Sequence, residues 1–589
     1  MALTAQELEK QKQQVEEMLA GPETLGFAKS LFFGHFKGEM LFPYPSLPPD
    51  KQQEAEDAVA RVREFAEKHI DARAIDRQAE IPASVIEGLS KLGVLGMTAP
   101  KEYGGMGFSQ QQYCRIMEVI GGHCSSTAVF VNAHHSIGIR ALLLFGTPEQ
   151  QKKWLPDLVA GKKLAAFALT EEQAGSDAGN VQTMATPSPD GKSFILNGAK
   201  RYITSGGIAQ VLTVMARTPV AGSDETKVTA FLVTPDMPGF QVVEPRMEKV
   251  GIRGTATAKL AFHDMRVPAE NVLGKVGKGL RIALTVLDFG RTTFGASCTG
   301  AAKTCLKAAI QHAKTRIQFK QPLAEFELVK KKIAFMAAHA FAMEATTMQC
   351  AAFIDSGSED YMLETALLKV WSTDHLWTIV NDTVQIFGGA AYFCDLPYER
   401  MMRDARINMI GEGANDVLRA FIAVVGSKAV GEGFLEVLNA AKMPLKNFGK
   451  LFQFGREQLA VRWNSPYVPV RSRDLQVEAQ VLSRIVQEFG LAVQWVLRHC
   501  GKIEVFLTSQ YLHERIADAA CDIYAASCTL SRLDSLLLHA NGQPMEKHSD
   551  VIAGRHFLKI AFRRIRQNLG ALTENDDAST TATANAMLQ

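Results

Sequence analysis

The sequence predicts an α+β protein of several domains: an N-terminal helical domain, a central antiparallel β domain, a helical-bundle domain and an extra C-terminal helical domain. Apolar residues recur at helical spacing before about residue 164, short β-rich runs follow to about 278, and helical spacing then returns. A chain of 589 residues, 47% apolar and 21% charged, is long enough for about three to five domains. We place the segments at 1–50, 51–163, 164–278, 279–430, 431–575 and 576–589.

The composition excludes several classes of protein. The formal net charge is +2, so no broad positive field favours nucleic acid as a partner. No apolar run approaches the roughly 20 residues of a membrane-spanning helix, and the N-terminus lacks the apolar core of a signal peptide. The 9 cysteines are scattered, without a C-x-x-C motif, as is typical of reduced thiols. We therefore expect a cytoplasmic bacterial protein, or a protein of the mitochondrial matrix if the chain is a mature eukaryotic one.

The first two segments differ in regularity. Residues 1–50 end in the proline-rich LFPYPSLPPD, which predicts an irregular lead-in. From 51 to 163 the apolar residues recur at helical spacing. In TPEQ, Thr147 is predicted to cap a helix, with a proline at the first position and Gln150 completing the capping box. We expect this helix to be short and to end near Pro156.

The third segment has the pattern of a β domain. Seven short runs, LAAFALT, SFILNG, KRYITSG, VLTVMART, VTAFLVT, GFQVVE and AKLAFHDMRV, are separated by Gly, Pro, Asp and Asn. This spacing predicts a compact antiparallel sheet. The dipeptide Asn197-Gly198 is a strong β-hairpin signal, so we expect a tight turn there.

The C-terminal part is predicted to be helical up to a disordered polar tail at 576–589. Within it, 437–463 carries basic residues, phenylalanines and a single acid, Glu457. This segment could contact a membrane surface, with its positive charges near anionic headgroups and its aromatic rings in the interface. It could equally be a solvated basic loop whose phenylalanines belong to the core. The first alternative makes peripheral contact with the inner membrane of a bacterium a candidate property of the protein.

Several common catalytic motifs are absent from the sequence. It contains no G-x-G-x-x-G after a strand, no Walker A motif, no H-E-x-x-H and no G-x-S-x-G. Metal-ligand spacing is also absent, and the adjacent His134 and His135 would point about 100° apart on a helix. We expect no bound metal and interpret the two histidines as structural.

Two segments of the β domain suggest a ligand-binding edge. The loop LTEEQAGSDAGN combines Thr170 and Ser176 with glycines, which suits close approach to a polar ligand or an ordinary turn. In RYITSGG, Tyr202 and Thr204 face the same side of a strand. An aromatic wall beside a hydroxyl suits a flat heterocycle, although the same pattern also occurs in cores.

The helical segments contribute further candidates. Arg291 in LDFGRTTFG and Arg316 in KTRIQF lie among apolar residues, and each is either a surface residue or a phosphate-binding one. The glycine pair of VQIFGGAAY is either a helix C-cap or a backbone surface for a ligand. Glu412 lies between two glycines in a gap between helices. It is either a solvated loop acid or, if burial raises its basicity, a candidate base.

Taken in order, these segments resemble the acyl-CoA dehydrogenase family over about residues 50–430. The motifs that carry the resemblance are EYGGMGFS, LFGTPEQQKKWLP, RVPAENVLG, RIQFKQPL, VQIFGGAAY and the RDARI…GEGANDVLR ending. The whole chain is similar to the very-long-chain branch of that family, which carries a C-terminal helical extension. FKGEMLFPYP, at 36–45, is similar to the lead-in of that branch. The resemblance implies a flavin-dependent oxidoreductase with FAD as its cofactor.

The resemblance also implies which residues bind FAD. In the family, a strand and loop hydrogen-bond the flavin, a second strand end packs on the isoalloxazine, and an arginine segment reaches the pyrophosphate of FAD in a neighbouring subunit. A glycine pair and the residues after the catalytic acid complete the set. The corresponding residues here are Phe167, Leu169, Thr170, Gly175, Ser176, Tyr202, Ile203, Thr204, Arg316, Gln318, Gln385, Gly388, Gly389, Ala414, Asn415 and Asp416.

Glu412 falls where the very-long-chain branch has its catalytic base. The residues that the resemblance places beside the substrate are Ser176, Asp288, Arg291, Gly411 and Gly413.

The chain departs from the family pattern at several positions. Glu172-Gln173 replaces a common Pro-Gly, Ser205 a usual Asn, and Lys320 a usual Gly. Gly411 stands where a bulky aromatic residue commonly precedes the base, and Ala414 where a Thr is usual. The last two changes alter the walls around the reacting carbon and so bear on the shape of the substrate.

The implied activity is the α,β-dehydrogenation of long-chain fatty acyl-CoA to trans-2-enoyl-CoA, the first step of fatty acid β-oxidation. Glu412 would remove the α-proton while the β-hydrogen leaves as hydride to flavin N5. The thioester oxygen would be held by the backbone N–H of Glu412 and by a ribityl hydroxyl of FAD. The implied partners are an electron-transfer flavoprotein and a second copy of the chain in a homodimer.

Two alternatives remain open: an acyl-CoA oxidase that uses O₂, and a non-catalytic assembly or scaffold homologue. The chain length of the substrate is also open. The segment 126–136, with Phe130 and His134, is expected to line the floor of the acyl pocket.

Overall fold

The computed structural model describes residues 25–220, 222–441, 462–540 and 545–589. Contacts group these residues into two compact units. The first unit contains Leu47–Val329 and Leu376–Gly413. The second contains Lys330–His375 and the described parts of Gly21–Ser46 and Ala414–Gln589.

Most of the described residues before the sheet are helical, as the apolar spacing predicts. A π-helical turn, Asn132–Ile139, joins two of these helices. The helices are α1 (Phe27–Phe32), α2 (Pro49–His69), α3 (Ala72–Gln78), α4 (Ala83–Lys91), α5 (Gln110–His123), α6 (Ser125–Val131), α7 (Arg140–Phe145) and α8 (Pro148–Val159).

The start of α8 confirms the predicted capping box. The hydroxyl of Thr147 accepts from the backbone N–H of Gln150, whose side chain accepts in return from the N–H of Thr147. The predicted end of this helix is wrong, because α8 continues past Pro156 to Val159. A proline removes one backbone donor, and packing of Leu155 and Leu158 in the core is sufficient to keep the last turn helical.

The central sheet has eight strands in the order β6-β7-β3-β2-β4-β5-β8, with β1 paired to β4. Its ladders are antiparallel except those of β1 and β2 with β4. The strands are β1 (Ala165–Ala168), β2 (Met184–Pro187), β3 (Ser193–Ile203), β4 (Val211–Pro219), β5 (Thr226–Val233), β6 (Phe240–Glu244), β7 (Ala258–Pro268) and β8 (Val272–Leu273).

The hairpin predicted at Asn197-Gly198 does not form. The two runs on either side of this dipeptide are one continuous strand, β3, with a break in its register against β7 between Leu196 and Gly198. Gly198 has φ 149°, and a Cβ there would lie 2.5 Å from Oγ1 of Thr183. The glycine therefore allows a β-bulge in β3 and a close approach to Thr183, directly before β2, and it does not form a turn.

Alternate residues along the strands belong to two different cores. In β5, Ala230 and Leu232 pack with residues of α8 and of the helix that follows the sheet. Phe231 and Val233 pack instead with Leu196 and other strand residues on the opposite face. Both faces of the sheet are thus buried within the first unit.

The elements after the sheet are mainly long helices. They are α9 (Gly279–Thr315), β9 (Ile317–Gln318), β10 (Gln321–Pro322), α10 (Glu327–Asp355), α11 (Met362–Phe387), α12 (Gly389–Tyr392), α13 (Tyr398–Arg406), α14 (Asn415–Ala441), α15 (Gln476–Cys500), α16 (Ile503–Thr508), α17 (Gln510–Leu538), α18 (Ser549–Gly570) and α19 (Asp577–Leu588).

Helices α5 and α9 of the first unit pack unusually closely. A Cβ at Gly121 would lie 2.6 Å from Cα of Ser297, and one at Gly122 would lie 2.8 Å from the carbonyl oxygen of Gly300. The close approach therefore depends on glycines: Gly121 and Gly122 in α5, and Gly300 in α9. By length and composition the stretch Ser125–Phe145 could cross a membrane, but 72% of its apolar 18-residue window is buried inside the protein.

The second unit is a helical assembly that includes the lead-in. The hydroxyl of Tyr44 donates to the carbonyl oxygen of Ala345, and that of Ser531 donates to the carbonyl oxygen of Leu41. The predicted irregular lead-in is therefore tied down where the structure describes it, and it contains α1.

The C-terminal end of the chain differs from its prediction. Residues expected to form a disordered tail include α19, and Arg515 pairs with Asp577 at its start at 2.5 Å. Most of the basic segment 437–463 lies outside the described residues, so its two interpretations stay predictions.

Candidate active site

Glu412 lies in the link between α13 and α14, as the flanking glycines predict. Its backbone adopts a left-handed conformation with φ 57°, and Gly413 follows with φ 102°. A non-glycine residue in this region is strained by about 1–3 kcal/mol, and such residues are concentrated at functional sites.

The helix before this link is anchored within the first unit. Arg403 of α13 pairs with Asp76 at 2.7 Å. The carboxylate of Asp404 accepts a hydrogen bond from the backbone N–H of Ile252 at 2.5 Å. Burial raises the pKa of Asp404 to about 6. These contacts hold the residues that lead into Glu412.

The side chain of Glu412 meets α9 and the π-helical turn. The amide of Asn132 donates to Oε1 of Glu412 at 2.8 Å. Gly290 of α9 lies on the other side of the carboxylate, and a Cβ at this position would lie 2.5 Å from Oε2 of Glu412. The carboxylate thus occupies a space that only a glycine leaves open, and it is held from the other side by an amide.

Asn132 belongs to a buried chain of hydrogen bonds. Thr293 of α9 donates to Oδ1 of Asn132, and the hydroxyls of Thr293 and Ser136 lie 3.3 Å apart. Ser136 in turn lies 3.0 Å from the hydroxyl of Tyr113. All four of these side chains are buried, so the network links α5, α9 and the π-helical turn to Glu412.

The predicted substrate-side pair, Asp288 and Arg291, is brought to the same place. The two side chains form an ion pair at 3.0 Å in α9, and Nε of Arg291 lies 3.5 Å from the carbonyl oxygen of Glu412. Arg291 is 5% exposed, so its alternative interpretation as a surface residue is wrong. The pair lies against the backbone of the candidate base.

Asn132 is one of the residues that line a cleft in the first unit. Most of its lining side chains are small or apolar, which suits an alkyl chain. Phe130 and His134, expected at its floor, are not among the lining residues. Those residues are Gly121, Ser125, Ala128, Val129, Asn132, Phe294, Ser297, Ala301, Leu376, Val380, Met401, Ala405 and Asn408.

The two adjacent histidines have structural partners. Nδ1 of His134 accepts from the backbone N–H of Ala165 at 2.9 Å, and its Nε2 donates to the carbonyl oxygen of Leu158. Burial lowers the pKa of His134 to about 4, so the ring is neutral at physiological pH. Nε2 of His135 accepts from the N–H of Thr98.

The loop after β1 is held to β3 by a buried ion pair. Nζ of Lys200 lies 2.6 Å from Oε1 of Glu171 and also donates to the carbonyl oxygen of Leu169. Burial lowers the pKa of Lys200 to about 8. Burial alone would raise the pKa of Glu171, but the charge of Lys200 and several hydrogen bonds bring it below its usual value. Sequence reasoning missed this pair.

The same edge displays the predicted heterocycle-binding residues. The backbone N–H of Arg201 donates to the carbonyl oxygen of Thr170 at 2.9 Å, which brings Thr170 beside Tyr202. The Tyr202 side chain is 57% exposed, although aromatic rings are usually buried, and its backbone has φ 61°. Gly175 and Ser176 are exposed in the adjoining loop. An exposed ring beside small polar residues fits the flat ring system of a flavin.

The remaining residues at this edge are less exposed. Ile203 is buried, whereas Phe167, Leu169 and Thr204 are partly exposed.

A second group of predicted cofactor residues lies at the C-terminal end of α9. Arg316 and Gln318 are exposed there. His312 stacks on Phe387 with ring centroids 4.1 Å apart, which places the end of α11, and hence the predicted Gln385, Gly388 and Gly389, near them. At 1.5 Å per residue, Arg316 is about 37 Å along the helix from Arg291. Arg316 therefore lies far from the part of α9 that contacts Glu412.

The residues after Glu412 belong to the second unit. Asp416 is exposed and Ala414 partly exposed. The side chain of Asn415 is buried and accepts from Lys369 at 2.8 Å while donating to Thr373 and Asp374. The hydrogen bonds of the Asn415 side chain thus hold the first residue of α14 to α11.

Gly411, where the family commonly has an aromatic residue, borders open space. A Cβ at this position would meet the carbonyl oxygen of Ile407 at 3.7 Å and no other atom within 4 Å.

Four protein-family models match consecutive stretches of the chain. Three describe the acyl-CoA dehydrogenase N-terminal, middle and C-terminal domains, at residues 52–162, 166–265 and 277–426. The fourth, the ACAD9/ACADV C-terminal domain, matches residues 473–588.

The chain is also similar to characterised relatives. It is 35% identical to the mitochondrial very long-chain specific acyl-CoA dehydrogenase of Bos taurus, over 92% of this chain and 84% of that protein. The Homo sapiens protein of the same name is 34% identical, over 94% and 85%.

Solved structures agree with this similarity. An acyl-CoA dehydrogenase of Bacillus anthracis complexed with FAD has a TM-score of 0.77 at 27% identity, covering 94% of both chains. Butyryl-CoA dehydrogenase of Megasphaera elsdenii has a TM-score of 0.61 at 33% identity, covering 66% of this chain and 99% of that one.

Proposed function

Because this chain belongs to the acyl-CoA dehydrogenase family and is an FAD-dependent enzyme, we propose that it dehydrogenates long-chain fatty acyl-CoA to trans-2-enoyl-CoA. This would be the first step of fatty acid β-oxidation. The observation that carries the proposal is the position of Asn132, which lines the cleft and donates to Glu412. This contact supports a role for the carboxylate next to a cleft whose lining suits an acyl chain.

Glu412 is the catalytic base in this proposal. Its carboxylate takes the α-proton, and its backbone N–H donates to the thioester oxygen, where negative charge develops. The left-handed backbone at Glu412 and Gly413 turns this N–H differently from those of a helix. Arg291, paired with Asp288 in α9, contacts the following peptide group through the carbonyl oxygen of Glu412. A bound acyl chain would exclude water from the site and so raise the basicity of the carboxylate.

The exposed edge of the sheet is the flavin site in this proposal. Tyr202, Ile203 and Thr204 would face the ring system, with Thr170 and Ser176 as hydrogen-bond donors. When bound, FAD supplies the acceptor for the β-hydrogen, taken as hydride. The Lys200–Glu171 ion pair holds the loop against β3. Substrate contacts of Ser176, Gly411 and Gly413 belong to the same proposal.

The second group of cofactor residues supports a homodimer. Arg316 lies about 37 Å along α9 from Arg291, and we assign it to the FAD pyrophosphate of a second copy, as the family resemblance implies. Apolar side chains beside it are exposed: Phe319 at 89%, Leu328 at 74% and Ile317 at 60%. Such a patch is typical of a subunit contact.

The direct test of the activity is a turnover profile over C4 to C20 acyl-CoA substrates with an artificial electron acceptor. We expect flavin reduction and turnover to be greatest with long chains, because the lining side chains of the cleft are mostly small or apolar. A profile that peaks at C4 would contradict the proposed substrate class.

The electron acceptor requires its own measurement. We propose that an electron-transfer flavoprotein takes the electrons, and its addition should restore turnover when the artificial acceptor is omitted. Rapid O₂ consumption without any acceptor would identify an acyl-CoA oxidase instead. A purified protein that binds no flavin would favour the scaffold alternative.

The location of the protein is part of the proposal. Relatives include mitochondrial proteins and mycobacterial proteins named probable acyl-CoA dehydrogenases. We place this chain in the bacterial cytoplasm or, for a mature eukaryotic chain, in the matrix. The basic segment 437–463 supports peripheral membrane contact. Liposome co-sedimentation of the full chain and of a version lacking this segment, at low and high salt, tests it, and equal partitioning of both would contradict it.

A further inference from the structure

We propose that Asn132 and Thr293 form a positioning pair that holds the Glu412 carboxylate ionised and at a fixed angle before the substrate is deprotonated. The inference rests on the proposed role of Glu412 as the base. Neither residue was found by sequence reasoning.

The direction of the hydrogen bonds follows from the chemistry of the three groups. An ionised carboxylate only accepts hydrogen bonds, so Asn132 must turn its NH₂ group toward Glu412, and the observed Nδ2 to Oε1 distance is 2.8 Å. The amide oxygen then faces Thr293, whose hydroxyl donates to it. Each group in this orientation has the partner that its chemistry requires.

Thr293 supplies a donor to the amide oxygen in the orientation that presents the NH₂ group to Glu412. The carbonyl oxygen of Gly290, 2.9 Å from the same hydroxyl, is a second acceptor for its single proton, and donation there would let Asn132 flip and present its oxygen to Glu412. In that arrangement the amide oxygen can accept a hydrogen bond from a protonated Glu412, but it has no donor to offer an ionised carboxylate. By donating a hydrogen bond to the amide oxygen of Asn132, the hydroxyl of Thr293 thus favours the orientation that stabilises the ionised base.

The rest of the network supports orientation rather than proton transfer. It continues through Ser136 to Tyr113, which is fully buried, and burial raises the pKa of the Tyr113 hydroxyl. A proton leaving Glu412 along this path would reach an interior phenol that does not ionise near neutral pH. The network therefore fixes the amide and the threonine in place.

Other titratable groups lie near the same site. From α9, Arg291 reaches the carbonyl oxygen of Glu412 and is paired with Asp288. From α5, Tyr113 faces the site through Ser136. From the π-helical turn and α7, His135 and Arg140 are engaged with Thr98. Substitution of Asn132 removes its hydrogen bond to Oε1 and leaves these other contacts in place.

The test is the pH profile of kcat/KM, measured on flavin-loaded protein with a long-chain acyl-CoA. Its acidic limb reports ionisation of the base in the free enzyme. Asn132→Ala should move this limb up by about one pH unit, since one hydrogen bond to a charged group is lost. Asn132→Asp should move it further, because a second carboxylate would stand 2.8 Å from Oε1.

Variants of Thr293 distinguish the effect of its hydroxyl on the orientation of Asn132 from the effect of its packing in the core. Thr293→Val keeps the shape but removes the hydroxyl, so the limb should shift in the same direction as in Asn132→Ala. Thr293→Ser restores the donor and should restore the profile. Thr218→Val, which removes a hydroxyl buried between β4 and β5, is the matched control and should have the wild-type profile.

Flavin absorbance and the thermal midpoint establish that each variant is loaded and folded. Glu412→Gln completes the set. If it retains activity, the proposed base is wrong, and the inference is overturned along with it. If Glu412→Gln is inactive while Asn132→Ala, Asn132→Asp and Thr293→Val keep the wild-type limb, the inference alone is overturned.

Discussion

Gly290 of α9 lies directly against the carboxylate of Glu412: a Cβ at position 290 would stand 2.5 Å from Oε2 and 3.0 Å from Oε1. The long helix and the link that carries Glu412 are thus fitted together at a point without a side chain. The position of the carboxylate depends on the smallest residue in the chain.

Gly290→Ala should therefore displace the Glu412 carboxylate and lower kcat by about 100-fold, since a shift of about 1 Å in a reacting group has an effect of this size. The added methyl group favours the helix by up to about 1 kcal/mol, which opposes the strain of the contact. Stopped-flow flavin reduction measures the effect. Gly431→Ala in α14, where a Cβ meets no atom within 4 Å, is the control. Wild-type flavin reduction in Gly290→Ala would contradict the placement of the base.

Glu412→Gln should retain yellow flavin and acyl-CoA binding but lose at least about 10²–10⁴-fold in flavin reduction, because an amide cannot accept the α-proton. Anaerobic spectra after addition of acyl-CoA measure the loss directly. A rate close to that of the wild type would move the base to another residue.

Arg316→Ala should reduce the FAD content of the purified protein more than it reduces kcat per bound flavin. A guanidinium that binds pyrophosphate holds the cofactor and does not touch the reacting atoms. Because we assign this contact to the partner subunit, flavin loss and dimer loss should occur together in light scattering coupled to absorbance. Arg484→Ala in α15 is the control. Unchanged flavin content in Arg316→Ala would remove Arg316 from the cofactor site.

Asp404→Asn should weaken the pH dependence of stability. Burial raises the pKa of Asp404 to about 6, above the usual 3.8, so the folded protein binds a proton that the unfolded chain has released between these values. This contribution to stability is complete below about pH 4 and is lost as the pH rises through 6.

Between pH 5 and pH 7.5 the change amounts to about 1 kcal/mol. The amide of the variant still offers an oxygen to the N–H of Ile252. The difference in thermal midpoint between the two pH values should therefore be smaller in Asp404→Asn than in the wild type. An equal difference in both proteins would show that Asp404 does not titrate in this range.

Local sequence signals predicted local structure well. The capping box at Thr147 forms as expected, and the glycines around Glu412 do mark a link between helices. In both cases the residues that determine the backbone lie within a few positions of one another. The predicted fold class is confirmed for the same reason, since the period of apolar residues is a local property of helices and strands.

Signals that depend on distant partners were misread. Asn197-Gly198 favours a turn by its own chemistry, yet pairing of β3 with β7 keeps the strand continuous through it. The departure at Lys320 has a physical meaning that the sequence alone did not reveal. Phe319 and Lys320 form a two-residue turn between β9 and β10 with φ 51° and 68°, where a glycine is unstrained.

Asn132 was missed because its partner lies 280 positions away in the chain. The available signal was the polar side chain of Asn132 in the apolar helical stretch STAVFVNAHHS. A polar side chain that is buried in such a stretch needs a hydrogen-bond partner. Only the fold identifies that partner as Glu412.

The π-helical turn at Asn132–Ile139 restricts how this segment can change during evolution. Asn132 at its start contacts Glu412, while His134, two residues on, is hydrogen-bonded to β1. One residue corresponds to about 100° of rotation in an α-helix and less in a π-helix, so a deletion or insertion between Asn132 and His134 would carry one of these side chains away from its partner. Among relatives that keep both contacts, we expect substitutions in this segment to be tolerated more often than changes in its length.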